Sequence, residues 1–179
     1  MAETAEELHL FAVDDETPNR IMASRVATSA QFIPHICPDG TEFMAAIQAH
    51  LSQSQQPPRG IALLDGMVAP GSHGVELVQT LDEAGYLVRR NQILERGQVD
   101  RAFLLAFLYS GGIDSTMTSL LQKQLNGRLW TGLMLKPTML NKVFPYLKVL
   151  VLNNDPAAVQ AALEYFDTKT QAFLDTIDQ

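Results

Sequence analysis

The sequence predicts an α/β protein: a doubly wound, five-stranded parallel sheet with helices on both faces and an added C-terminal helix. Three observations carry this prediction. Short apolar runs alternate five times with stretches of helical spacing. The apolar runs are continuous rather than alternating in polarity, as in strands buried on both faces. Polar residues gather where those runs end, and open parallel sheets bind ligands at the carboxyl ends of their strands.

The elements follow in order. Leu8 to Val13 is a first strand ending at Asp14-Asp15, and Thr17-Pro18 opens a helix to about Ala30, with Pro18 at its first position. Gln31 to Cys37 is a second strand; Pro34 cannot donate to a ladder and assigns it to an edge. Asp39 with Glu42 reads as a cap, and Phe43, Ala46, Ile47, His50 and Leu51 follow at helical spacing. Ser52 to Arg59 is a polar loop. Gly60 to Leu64 is the third strand, ending at Asp65, and Gly74 to Leu81 opens a helix. Asp82 to Arg101 is polar and charged and gives no clear element, being either a helix extension or a long loop. Phe103 to Tyr109 is the fourth strand, ending at Ser110-Gly111-Gly112, and Asp114 or Ser115 caps a helix to about Leu125. Leu129 to Leu135 is the fifth strand, ending at Lys136-Pro137, with a helix after it that Pro145 should disturb.

Composition bounds the function. A chain of 179 residues that is 46% hydrophobic supports one domain with a substantial core. A net charge of −7 without a basic stripe argues against nucleic acid as a partner. The single cysteine, Cys37, excludes an intramolecular disulfide framework and fits a reducing compartment. The acidic stretch from Met1 to Glu7 lacks the features of a signal peptide. The longest apolar run, Ala102 to Tyr109, is too short to span a bilayer, so a cytoplasmic protein without a membrane partner is expected.

Four strand ends supply Asp14-Asp15, Asp65, Ser110 and Lys136. Three carboxylates on one sheet edge repel one another unless a cation holds them, and hard oxygen ligands suit Mg²⁺ or Mn²⁺. A lysine neutralises a phosphoryl oxygen as a point charge, and a serine hydroxyl donates to another. Together these groups can bind and transfer a phosphoryl group, a reaction in which positioning and charge neutralisation do most of the work.

The ordered set Asp14-Asp15, Asp65, Ser110-Gly111 and Lys136-Pro137 resembles the receiver domain of two-component response regulators. Leu63-Leu64-Asp65-Gly66-Met67, followed by Pro70-Gly71 and Gly74-Val75-Glu76-Leu77, is similar to that family's third strand and loop. The resemblance covers residues 8–150 and implies a flavodoxin-like sheet of strand order 2-1-3-4-5. It implies a signalling phosphoacceptor with self-catalysed phosphotransfer rather than a metabolic enzyme. In that scheme Asp65 attacks a phosphohistidine on a sensor histidine kinase or phosphotransfer protein, and an aspartyl phosphate then signals to a downstream protein target. Asp15, Asp65 and the carbonyl of Met67 would hold Mg²⁺, with Asp14 contacting it through water. Lys136 and Ser110 would bind the phosphoryl oxygens. The chain departs from the family pattern at three points: Pro70 comes one residue late, Asp65 to Ser110 is long, and Leu133 stands where most receivers carry an aromatic residue.

Two other readings compete. Ser110-Gly111-Gly112-Ile113-Asp114-Ser115 matches the SGGxDS loop of PP-loop ATP pyrophosphatases, which cradles pyrophosphate at a helix N-terminus. In those enzymes, however, the loop follows the first strand. The third reading is a receiver-like module that binds partners without being phosphorylated. His9, His35, His50 and His73 show no metal-ligand spacing and read as structural or exposed.

The expected division is a receiver domain over 1–150 and a helical extension over 151–179. Asp155-Pro156 opens the extension, and Val159, Leu163, Phe166, Thr170, Phe173 and Ile177 form a heptad-like seam. Such a face packs either against a second copy, giving a homodimer, or on its own domain.

Overall fold

The computed structural model describes residues 7–53, 59–68, 72–94, 104–112, 114–125, 130–136 and 140–177. In chain order the elements are β1 (Leu8–Val13), α1 (Thr17–Ser29), β2 (Phe32–Cys37), α2 (Gly40–Gln53), β3 (Arg59–Asp65), β4 (Met67–Val68) and β5 (Ser72–His73). There follow α3 (Gly74–Glu83), α4 (Arg90–Leu94), β6 (Leu104–Ser110), α5 (Ser115–Leu125), β7 (Thr131–Leu135), α6 (Leu140–Leu152) and α7 (Pro156–Ile177). The main sheet has the order β2-β1-β3-β6-β7 and is parallel throughout. Counting its five strands alone, this is the expected order 2-1-3-4-5.

Alternation of side chains across the sheet divides the core into two layers. Leu10, Ala12, Ile61, Leu63, Leu105 and Phe107 face one layer, completed by α1, α6 and α7. Phe11, Val13, Ala62, Leu64, Ala106 and Leu108 face the other, completed by α2, α3 and α5. Every residue of β1 and β6 is buried, which explains why these strands read as continuous apolar runs. Between β1 and β3 the backbones come so close at Gly60 that a Cβ there would lie 2.0 Å from the His9 carbonyl oxygen. This pairing therefore requires glycine.

The caps form where the residue types indicated. Asp39 accepts from the Glu42 amide at 2.9 Å, Asp114 from the Met117 amide at 2.9 Å, and Asp155 from the Ala157 amide at 3.0 Å. Asp114, not Ser115, therefore caps α5. Pro34 lies in the edge strand β2, as expected. Phe103 and Leu129, assigned to strand starts, lie outside the described residues.

Two expectations are corrected and one open segment is filled in. Pro145 does not break α6, which runs continuously from Leu140 to Leu152. Pro145 is the sixth residue of that helix, where its missing N–H deprives a single carbonyl, that of Asn141, of its partner. The stretch from Asp82, which gave no clear element, begins as the end of α3; Leu87 then bridges to Leu104, and the short helix α4 follows. Arg90 of α4 makes two hydrogen bonds to Asp167 of α7, one of 2.9 Å.

The other correction concerns the seam of α7, a helix that packs against α6, β7, α4 and α5 of its own chain. Val159, Leu163, Phe166 and Thr170 are buried as the seam requires, but beyond them the buried residue is Leu174, while Phe173 is only partly buried and Ile177 is 46% exposed. A straight helix of 3.6 residues per turn drifts away from a 3.5-residue repeat, and the buried stripe follows the straight helix. No helix among the described residues is long and apolar enough to cross a membrane.

Candidate functional site

Parallel register brings four strand ends to one edge. Val13 pairs with Cys37 and Leu64, Asp65 with Tyr109, and Ser110 with Leu135. Asp14, Asp65, Ser110 and Lys136 therefore emerge side by side, as their positions at strand ends predicted. The Lys136 ammonium lies 2.8 Å from Asp14 Oδ2 and 3.3 Å from Asp65 Oδ1. Both carboxylates are buried, each residue 7% exposed, while Asp15 is exposed at the rim. Carboxylate oxygens of Asp14, Asp15 and Asp65 lie within 4.8 Å of one another.

The turn after β1 is held in place from several sides. The Asp14 amide donates to the Cys37 carbonyl at 3.2 Å. Asp14 Oδ1 accepts from the Glu16 amide at 2.9 Å and from Asn19 Nδ2 at 3.3 Å. One Arg20 nitrogen donates at 2.8 Å to each of the Asp14 and Asp15 carbonyls. Asn19 and Arg20 were not singled out from the sequence. Their place in the first turn of α1, directly after Thr17-Pro18, was the available signal.

On the other side Ser110 is 2% exposed and donates from Oγ to the Gly112 carbonyl at 2.6 Å. The Lys136 amide donates to the Ser110 carbonyl at 2.8 Å, which ties these two site residues together. Gly66 is needed here, because a Cβ would lie 2.3 Å from Ser110 Oγ. Met67, two residues past Asp65, begins the two-stranded hairpin β4–β5. The hairpin returns to the site, where the Gly74 amide donates to the Gly66 carbonyl at 3.2 Å. Pro70 and Gly71 lie outside the described residues. A cleft of about 460 Å³ opens over the site, lined by Asp15, Asp65, Ser110, Gly112, Asp114 and Lys136.

The charges account for the local titration. Burial alone would lower the Lys136 ammonium, but the hydrogen bond to Asp14 and the charges of Asp65 and Asp14 outweigh it and raise its pKa. Lys136 also stands 5.2 Å from the centre of the Tyr109 ring. Burial raises the Tyr109 phenol, and the lysine charge partly opposes that shift. Three carboxylates against one ammonium leave an excess of negative charge. An all-oxygen donor set of this kind, with one side open to a cleft, fits Mg²⁺ or Mn²⁺.

No protein-family model matches the chain, and no curated protein matches it in sequence. Solved structures do. A CheY-like response regulator receiver domain protein from Methanospirillum hungatei aligns with a TM-score of 0.53 at 16% identity, covering 82% of this chain and 97% of that one. The Vibrio cholerae chemotaxis protein CheY4 aligns with a TM-score of 0.50 at 16% identity, covering 90% of this chain and 99% of that one. The Thermotoga maritima response regulator DrrB, an OmpR/PhoB homologue, gives a TM-score of 0.52 at 13% identity, covering 84% of this chain and 54% of that one. Together with the strand order and the flanking helices, these alignments show that the chain has the fold of CheY-like response regulator receiver domains.

Proposed function

We propose that this chain is a phospho-accepting receiver in two-component or phosphorelay signalling, with Asp65 as the acceptor. The observation that carries the reading is the pairing of Lys136 with two buried carboxylates, 2.8 Å from Asp14 and 3.3 Å from Asp65, at the floor of an open cleft. A carboxylate oxygen of Asp65 attacks the phosphorus of a phosphohistidine on a kinase or phosphotransfer protein. The P–N bond breaks, the P–O bond forms, and the imidazole leaves with its electron pair and takes up a proton. Lys136 and Ser110 then hold the oxygens of the aspartyl phosphate, and Asp14 keeps Lys136 at the site. Asp15, Asp65, Asp14 and the Met67 carbonyl would hold Mg²⁺ or Mn²⁺, which supplies neutralisation of the phosphoryl charge. A downstream protein target would read the phosphorylated surface. The extension over 151–179 belongs to this proposal as a covering helix rather than a separate output unit.

The test is intact-mass spectrometry of the protein with Mg²⁺ and acetyl phosphate. One phosphoryl group is expected on the wild type, none on Asp65→Asn, and none in excess EDTA. Full labelling of Asp65→Asn would refute the acceptor, and undiminished labelling in EDTA would refute the metal. Leu133, buried where most receivers carry an aromatic residue, favours a second reading as a receiver-like module that binds partners unphosphorylated. An unlabelled wild type would support it.

A further inference from the structure

The sheet carries a second polar cluster away from the acidic cleft. His9 is the second residue of β1, His35 lies in the edge strand β2, and His50 lies near the end of α2. Their imidazole nitrogens lie within 4.8 Å of one another. His9 Nδ1 and His35 Nε2 are 3.0 Å apart, so one proton is shared between two ring nitrogens. The ring centres of His9 and His50 are 4.3 Å apart and tilted by 59°. His9 is buried and its other nitrogen lies 3.8 Å from Glu7 Oε2. His35 and His50 are half-buried, so the cluster reaches solvent on one side. His9 precedes Asp14 by five residues along an extended strand, which separates the two clusters by about 16 Å.

Packing alone does not call for three imidazoles at this place. Phe11 and Phe43 fill neighbouring positions of the same layer with hydrocarbon. A neutral histidine pair satisfies one hydrogen bond and leaves the remaining ring nitrogens to find other partners. We propose that His9, His35 and His50 form a second metal site, for Zn²⁺, that fastens the edge strand β2 to β1 and α2. Three imidazoles with a fourth position open to water make a common zinc set, and imidazole ligands suit Zn²⁺ far better than Mg²⁺. Zinc–nitrogen bonds of about 2.0–2.1 Å at tetrahedral angles put ligand nitrogens about 3.4 Å apart. The observed 3.0 Å pair needs to open by only a few tenths of an ångström, with the metal in place of the shared proton. Glu7 Oε2, 3.8 Å from the outer nitrogen of His9, is close enough to swing in and accept from it, as carboxylates do beside metal-bound imidazoles.

The experiment uses the whole chain without a histidine tag, stripped with a chelator and titrated with Zn²⁺ in excess Mg²⁺. One Zn²⁺ per chain is expected, and at a hundredfold excess over Kd the melting temperature should rise by about 5–10 °C. His35→Asn and His50→Gln should each weaken binding by about tenfold or more, and together abolish it. Asp65→Asn should bind Zn²⁺ as the wild type does. Imidazole NMR of the wild type gives a readout that does not depend on the variants folding: three of the four histidines should shift on Zn²⁺ addition, and His73 should not. The proposal is overturned if the wild type takes up no Zn²⁺, if the double variant still binds it, if Asp65→Asn loses it, or if the three imidazole signals stay in place.

Discussion

Lys136 is the residue on which the acidic cleft depends. Its ammonium touches two buried carboxylates, and these bonds raise its pKa against the effect of burial. A raised lysine contributes its full stability below the ordinary lysine pKa and loses it only as pH rises through the folded value. The contribution is therefore constant over the physiological range. Lys136→Met removes the ammonium that both Asp14 and Asp65 contact. The expected loss is about 1–3 kcal/mol in urea denaturation, since removing one partner strands a buried charge. Mg²⁺ should restore part of that loss by returning positive charge, and should do so more than it stabilises the wild type. A variant as stable as the wild type without Mg²⁺ would show that the bridge contributes nothing. Cys37 makes a second residue-scale prediction. Burial pushes its thiol up to about 11, with the charges of Glu42 and Asp39 adding to the shift. A raised thiol keeps its proton in the fold, so it lends stability below the unfolded value of 9.0 and loses it as pH rises toward 11. Near pH 8 the folded protein should react with an aromatic disulfide reagent far more slowly than after denaturation. Equal rates would mean the thiol is open to solvent.

The elements show what sequence patterns can and cannot specify. Asp39, Asp114 and Asp155 stood out before apolar-periodic stretches, and each caps its helix, because a cap is a local contact within three residues. Helix α4 left no such trace. It is five residues long, and it stands because Arg90 reaches Asp167 and Asn153 donates to the Ile93 carbonyl at 3.1 Å, contacts between parts of the chain far apart in sequence. In α7 the apolar pattern marked the helix and its buried face as far as Thr170, but not the phase of the last turns. Thr170 is fully buried on that face, and its hydroxyl has no hydrogen-bond partner among the described residues. Replacing it with the isosteric valine removes an unpaired polar group without opening a cavity. Thr170→Val is expected to stabilise the protein by about 1 kcal/mol, a rise of about 2–4 °C in melting temperature. A fall in melting temperature would mean the hydroxyl is bonded in solution.

At the scale of the molecule, the acidic cleft was legible because every member sits at a strand end, and parallel register converts that rule directly into proximity. The histidine cluster was not legible, because His9, His35 and His50 meet only once β1, β2 and α2 are assembled. The division into a domain and an extension depends on how far α7 shares the core. Val159, Ala162, Leu163 and Phe166 of α7 belong to the same apolar layer as Phe107, Trp130 and Val143. Phe166 stands 5.2 Å from Phe107 and 5.7 Å from Trp130 between ring centres, in edge-on contact with both. Trp130 is the single tryptophan and is fully buried, so its emission reports on this layer alone. Ending the chain at Asn154 uncovers it. The truncated chain is expected to emit at longer wavelength and to melt well below the full chain, if it folds at all. Phe166→Ala, which keeps the helix, should show a smaller red shift and lose about 3–5 kcal/mol. The order matters: full chain, then Phe166→Ala, then truncation, in both emission and stability. If the truncated chain keeps the emission and melting temperature of the full chain, α7 is an appendage and residues 1–150 stand alone. If it shifts as expected, the sheet needs α7 to close one face.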